Sequence, residues 1–446
     1  MISRKTRSTR WLLSVAVAIA LASTACSNVS AFETAGAPSP DEDSGVARPE
    51  SRDVVLPRAQ SAQDNTLAEA TPASWTAEPA VVQEEAWIDW VGSTGSETGW
   101  WHGGDGNEAI QLPDGRVWHF FADTYNGLVD PDFSRGSASH NLVYNSIVIR
   151  GADGQFLGQV WDEQISEGPP GSSPAIVPDQ DKYPGNFYWL PAGAVLEDGE
   201  LRIFAALMES NPLRRVDTHI LTLDANDGSV MDVTPTGLTA ANFSPAGVFE
   251  HAGWLYVNGQ RPSVNVEEGW GMLRAPIGTI RDLETWQAWD GRRWNDDLSA
   301  HGGIQGDDGE LLPTFGVYYD FRASRYGFLA LSVPLGGELT IYRADQPQGP
   351  YESVGTLPTD AVKGEDEDGG IMAAYAPRWH PHYDTEEGLT VSYATNYFGE
   401  PTMPDTELDN RYYMPHYVTV PHGMFDDVFA VDAGTGGRSD LERSRR

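Results

Sequence analysis

A single cysteine, Cys26, in 446 residues leaves no intrachain disulfide, so stability has to come from the burial of apolar surface. Basic residues are scarce as well: 29 Lys and Arg stand against 65 Asp and Glu, a formal net charge of −36. Such a chain repels nucleic-acid phosphates and anionic membrane surfaces, which excludes nucleic acid as a partner. The acidic surplus names no ligand by itself, because solvated acidic surfaces commonly serve solubility. No segment reads as a long amphipathic helix, and no clear helix of three turns is expected. What is abundant is Gly (47), Pro (30) and aromatics (15 Trp, 17 Tyr, 15 Phe), the composition of turn-rich β structure.

The N-terminus carries a targeting pattern. Arg4, Lys5, Arg7 and Arg10 precede the apolar run Trp11–Ala22, which is short for a bilayer span and is followed by small residues up to Cys26. Residues 1–26 therefore read as a bacterial lipoprotein signal peptide with Cys26 as the lipidated residue; Ser23 stands where such signals usually carry Leu. Ordinary cleavage with a spare thiol is the alternative. The expected location is outside the cytoplasm, lipid-anchored to the cell envelope or secreted. Membrane contact is expected only through that anchor. Residues 27–85, rich in Ala, Pro, Ser and acidic residues, read as a disordered linker, and 423–446 as a tail that is flexible at its end.

From Trp87-Ile88-Asp89-Trp90 onward, short apolar and aromatic runs alternate with Gly, Asp, Asn and Pro, which are strand and turn signals. Asp114-Gly115, Asp198-Gly199 and Ala252-Gly253 each join two such runs, as tight hairpin turns require. Over 86–422 the hairpins fall into five sets: 105–161, 187–234, 243–293, 311–353 and 371–420. The fold class expected is all-β, a five-bladed β-propeller whose ring is closed by an early strand, Ala86–Val91, pairing with the last blade. A large β-sandwich uses the same hairpins and remains the alternative.

Two segments carry the densest polar and aromatic content. Trp100-Trp101-His102-Gly103-Gly104-Asp105-Gly106-Asn107-Glu108 enters the first hairpin, and Phe121-Ala122-Asp123-Thr124-Tyr125 leaves it. Asp105 and Asp123 thus lie at one end of the hairpin, Asp105 with glycines that let it reach into open space. Two neighbouring carboxyls, one protonated and one ionised, are what glycosidic cleavage needs, and the flanking tryptophans suit sugar stacking. Each aspartate alone is equally readable as a turn residue.

The order Gly104-Asp105-Gly106, Gln111-Leu112-Pro113-Asp114-Gly115-Arg116, Phe121-Ala122-Asp123-Thr124 and Val143-Tyr144-Asn145-Ser146 resembles the opening blade of a bacterial propeller family, the domain of unknown function 4185 type, which includes endo-D-arabinanases. Tyr256-Val257-Asn258-Gly259, Trp286–Gly291, Tyr342–Tyr351 and Leu389–Asn396 extend the likeness over most of 100–396. The chain departs from it in reading Phe-Phe-Ala-Asp-Thr where relatives read Leu-Phe-Gly-Asp-Thr. The resemblance implies a five-bladed fold and hydrolysis of furanosyl, arabinan-type linkages in polysaccharide, with Asp105 and Asp123 catalytic and Asn145 orienting one of them. A non-catalytic glycan-binding lipoprotein is the competing reading.

Further substrate-binding candidates are Trp101 and His102 beside Asp105, and Glu209, Arg261, Asp320, Arg322 and His380 from later blades. Glu209 reads as a proton donor or a solvated strand end, Asp320 and Arg322 as a sugar contact or a surface ion pair, and Arg261 as a sugar or carboxylate partner or an exposed loop residue. His380 and His382 lack a third ligand, so no transition metal is assigned. The acidic run Gly364–Gly370 lacks the alternation of a calcium loop and reads as solvated charge. No cofactor is called for; a structural calcium or sodium ion would use oxygens that the sequence does not single out. A monomer is expected.

Overall fold

The computed structural model describes residues 80–98, 101–129, 133, 135–160, 174–211, 213–239, 243–260, 270–300, 302–306, 317–320, 325–331, 338–359, 371–398 and 410–424. Cys26, Arg261, Arg322, the run Gly364–Gly370, and the segments 1–79 and 425–446 lie outside the described residues, as does the side chain of Asp320.

The described residues are all-β apart from one long helix and short 3-10 turns. The helix, α1 (Ala80–Thr98), stands where the strand Ala86–Val91 was expected and crosses the 85/86 boundary drawn between linker and folded part. Its buried positions explain the difference: Ala80, Gln83, Trp87 and Val91 recur at helical spacing, whereas Val81, Glu85, Asp89 and Gly92 are exposed. On a strand Ala80 would face away from Gln83, Trp87 and Val91, whereas a helix gathers all four on one side.

After α1 the strands follow in chain order. β1 (Trp101–Gly104), β2 (Glu108–Gln111), β3 (Val117–Phe121), β4 (Thr124–Val129), β5 (Arg135–Val143), β6 (Ser146–Arg150) and β7 (Phe156–Val160) form two collinear sheets, β1-β4-β5 and β2-β3-β6-β7. β8 (Phe187–Glu197), β9 (Glu200–Ser210), β10 (Leu213–Leu223) and β11 (Val230–Pro235) make the next antiparallel sheet. It is followed by β12 (Ser244–His251), β13 (Trp254–Gln260), β14 (Trp270–Pro276), β15 (Gln287–Trp289) and β16 (Trp294–Asn295). β17 (Val317–Asp320), β18 (Arg325–Leu331), β19 (Glu338–Ala344) and β20 (Glu352–Pro358) form another sheet, and β21 (Ile371–Trp379), β22 (Gly388–Phe398) and β23 (His416–Pro421) the last. The first expected hairpin set divides into two sheets, and the other four each correspond to one. The β8–β9 turn shows why they correspond: Asp198 (φ 54°) and Gly199 (φ 77°) both take the left-handed conformation that a two-residue hairpin demands.

Apolar cores lie between consecutive sheets. Trp118, Phe120 and Ile149 meet Trp189, Ile203 and Leu221; Phe204 and Ile220 meet Leu255, Val257 and Trp286; Tyr256 and Met272 meet Tyr326 and Ala344; Leu329 and Ile341 meet Leu389 and Val391. The last core joins the last sheet to α1 and the first sheets: Trp87 and Val91 of α1 with Trp101, Val117, Phe121, Val148, Tyr383, Met414 and Tyr417. The strands that face these neighbours, β2, β8, β12 and the end of β21, surround a cavity of about 450 Å³ lined by Glu108, Gln111, Val195, Glu250, Trp379 and His382 among others.

Candidate functional site

The two collinear sheets break at one level, and each break carries a polar residue. Asp105 lies between β1 and β2, Asp123 between β3 and β4, and Asn145 between β5 and β6. Register places Gly104 opposite Thr124 and Phe121 opposite Ser146. Across the break the Asp105 N–H donates to the Asp123 carbonyl at 3.0 Å and the Ala122 N–H to the Asp105 carbonyl at 2.8 Å. The two aspartates are therefore backbone partners.

Close packing holds them there. A Cβ on Gly103 would lie 2.8 Å from the Tyr413 carbonyl, and one on Gly104 would lie 3.0 Å from Thr124 Oγ1 and 3.1 Å from Phe121. Only glycine lets Tyr413 and Phe121 approach this strand. The consequence differs from a carboxylate reaching into open space: Asp105 is 7% and Asp123 5% exposed. Tyrosines surround them. Tyr375 on β21 donates to Asp105 Oδ2 at 3.0 Å, while no described residue hydrogen-bonds Asp105 Oδ1. Tyr413 feels the charge of both aspartates and its hydroxyl is held well above the ordinary tyrosine range by burial and by them. Tyr144, also near Asp123, stacks on Tyr188 with ring centroids 3.8 Å apart.

Burial raises the Asp105 carboxyl to about 6, against the opposing pull of the Tyr375 hydroxyl, the Asp123 backbone, Tyr413 and the Arg378 charge. Glu108, at the start of β2, rises to about 7 for the same reason although it is ion-paired with Arg378 of β21. The site thus holds carboxyls whose environment favours a proton near neutrality, the property a general acid needs.

The other candidates fall elsewhere. Trp101 is fully buried beneath α1, its ring 4.8 Å from Trp87 and 4.8 Å from Phe121, so it belongs to the core and offers no face for a sugar. His102 is buried and lies along Tyr125. Asn145 donates to the Ile176 and Trp189 carbonyls and accepts from the Ile176 N–H, each at 2.9 Å; these bonds anchor backbone rather than an aspartate. Glu209 pairs with Arg214 at 2.6 Å across the β9–β10 hairpin. His380 is buried with Nε2 2.7 Å from Ser392 Oγ, in a network that includes Asn107, His119, Tyr383 and Tyr417 and ties the last sheet to the first. Desolvation and neighbouring charges hold His119, His380 and His382 below the ordinary histidine range, as uncharged rings in a core. Among the described residues no three His, Cys, Asp or Glu side chains group to hold a metal.

Residues missed by sequence reasoning are Tyr375, Tyr413, Glu108 and Arg378. Glu108 stood in the motif next to Asp105. Tyr375 and Arg378 lie some 270 residues away, Tyr413 farther still, and none carries a local signal.

The matching family model covers residues 94–422 and is described as Domain of unknown function (DUF5005); the chain belongs to that family. The family matched is this one and not the domain of unknown function 4185 type that the sequence resembles. No curated protein matches the chain. Among solved structures, a Bacteroides ovatus protein described as a "putative hydrolase" aligns with a TM-score of 0.59 at 16% identity, covering 78% of this chain and 91% of its own. A GH43_1 enzyme of Xanthomonas citri complexed with xylose gives a TM-score of 0.40 at 11% identity, covering 76% and 93%. A family 43 arabinoxylan arabinofuranohydrolase of Bacillus subtilis gives 0.38 at 15%, covering 72% and 64%. The first likeness concerns the fold alone, and the two lower scores carry no weight for residues or chemistry.

Proposed function

We propose that the chain is an exported, five-bladed propeller glycoside hydrolase acting on furanosyl, arabinan-type linkages, with Asp105 as general acid and Asp123 as the second carboxylate. The observation that carries this reading is the pairing of two nearly buried aspartates across one sheet break, one of them raised to about 6. In the step proposed, Asp105 gives its proton to the glycosidic oxygen as the anomeric C–O bond breaks. Asp123 either takes a proton from the water whose oxygen bonds to the anomeric carbon, or bonds to that carbon first and is released by water. Inversion or retention of the anomeric configuration distinguishes the two routes.

The basic residues, apolar run and small residues leading to Cys26 support export and lipidation, and the linker supports a domain held away from the envelope. Incubation of the full chain with D- and L-arabinans, followed by detection of new reducing ends, tests the activity. Release from one arabinan series is expected; no release from any would refute the enzymatic reading.

A further inference from the structure

The geometry points to Tyr375 as the positioning residue for Asp105, fixing the rotation of its carboxyl through a hydrogen bond to Oδ2. This rests on the hydrolytic reading above. Residues three apart on a regular strand face opposite sides. In β21, however, Tyr375 pairs with Ala394 and Arg378 with Ser392, so three steps on β21 match two on β22. The extra residue is a β-bulge at Ala376-Pro377, with Ala376 in the left-handed region at φ 49°. The bulge turns Tyr375 and Arg378 to the same side. There Tyr375 reaches Asp105 Oδ2 at 3.0 Å and Arg378 meets Glu108.

An alanine at positive φ is an unfavourable conformation that surrounding structure must enforce. Its effect here is to direct two side chains at two buried carboxyls. Tyr375 acts on Asp105 in two ways: it fixes the rotation of the carboxyl, and its donated bond favours the ionised form against the burial that opposes it. The other groups that bear on Asp105 are Arg378 from β21, Tyr413 ahead of β23, and Asp123 and its backbone at the β3–β4 break; Glu108 at the start of β2 shares the Arg378 charge.

The test is Tyr375→Phe in the full chain, read as the pH dependence of kcat and, separately, as the titration of the Asp105 carboxyl by difference infrared spectroscopy against Asp105→Asn. Loss of the donated bond is expected to move both the Asp105 titration and the alkaline limb of kcat upward by about half to one pH unit, with KM little changed. Site-specific 3-fluorotyrosine at position 375, a stronger donor that keeps the ring, is expected to move both downward. An Asp105 titration unmoved by either replacement would overturn the role of Tyr375. A protein that releases no sugar while its Asp105 titration still shifts would refute the hydrolytic reading and leave the positioning intact.

Discussion

Replacing Asp105 by Asn should make the protein more stable at alkaline pH, although it removes the proposed acid. Burial raises the Asp105 carboxyl from an ordinary 3.8 to about 6 in the folded chain, so ionisation costs more there than in the unfolded chain. Below about pH 4 the group is protonated in both states and costs nothing. Between about 4 and 6 the unfolded chain gives up its proton first, and stability falls as pH rises. Above about 6 the full difference, close to two pKa units, stands against the fold, about 2–3 kcal/mol. Asn removes this term, and its amide oxygen can still accept from Tyr375. Urea unfolding of wild type and Asp105→Asn between pH 4 and 8 reads the effect. The curves should converge near pH 4, with the variant ahead by about 2–3 kcal/mol at pH 8. A difference that stays flat with pH, or a variant weaker at pH 8, would refute the reasoning.

Arg378→Met leaves the largely buried Glu108 carboxylate without its cation and should cost about 3–5 kcal/mol above about pH 7. The loss should shrink toward pH 5, where Glu108, already raised to about 7, is protonated; melting temperatures at the two pH values check this. Trp87→Ala removes a fully buried side chain that packs against Trp101 and donates to the Tyr417 hydroxyl at 3.0 Å. It should lower unfolding stability by about 3–5 kcal/mol in urea; a loss below about 1 kcal/mol would mean that α1 does not seal the junction of first and last sheets.

Much of the sheet framework was legible because its punctuation is local. Asp198-Gly199 favours a hairpin wherever it stands between apolar runs, since few residues accept the required backbone, and Ala252-Gly253 signals one through Gly253 alone. α1 was hidden for a physical reason as well. Trp87-Ile88-Asp89-Trp90 is a short aromatic and apolar run of the kind strands carry, and one of the four positions that reveal the helix, Gln83, is polar. Missing the helix led to the misplacement of Trp101: beside Gly and Asp it looks like a sugar platform, but Trp87 of α1 covers it. The aspartates could be found because both belong to one hairpin. Tyr375 and Arg378 could not, because a bulge, not a motif, brings them to the site, and its one local sign, Pro377, equally marks an edge strand.

The central claim is that Asp105 and Asp123 form a hydrolytic pair. Its most direct test measures reducing-end release from arabinans by wild type, Asp105→Asn and Asp123→Asn in parallel, with glycan binding recorded for each. The account predicts release by wild type alone, with binding retained by both variants. Release that persists in either variant, or a wild type that binds and releases nothing, would contradict it.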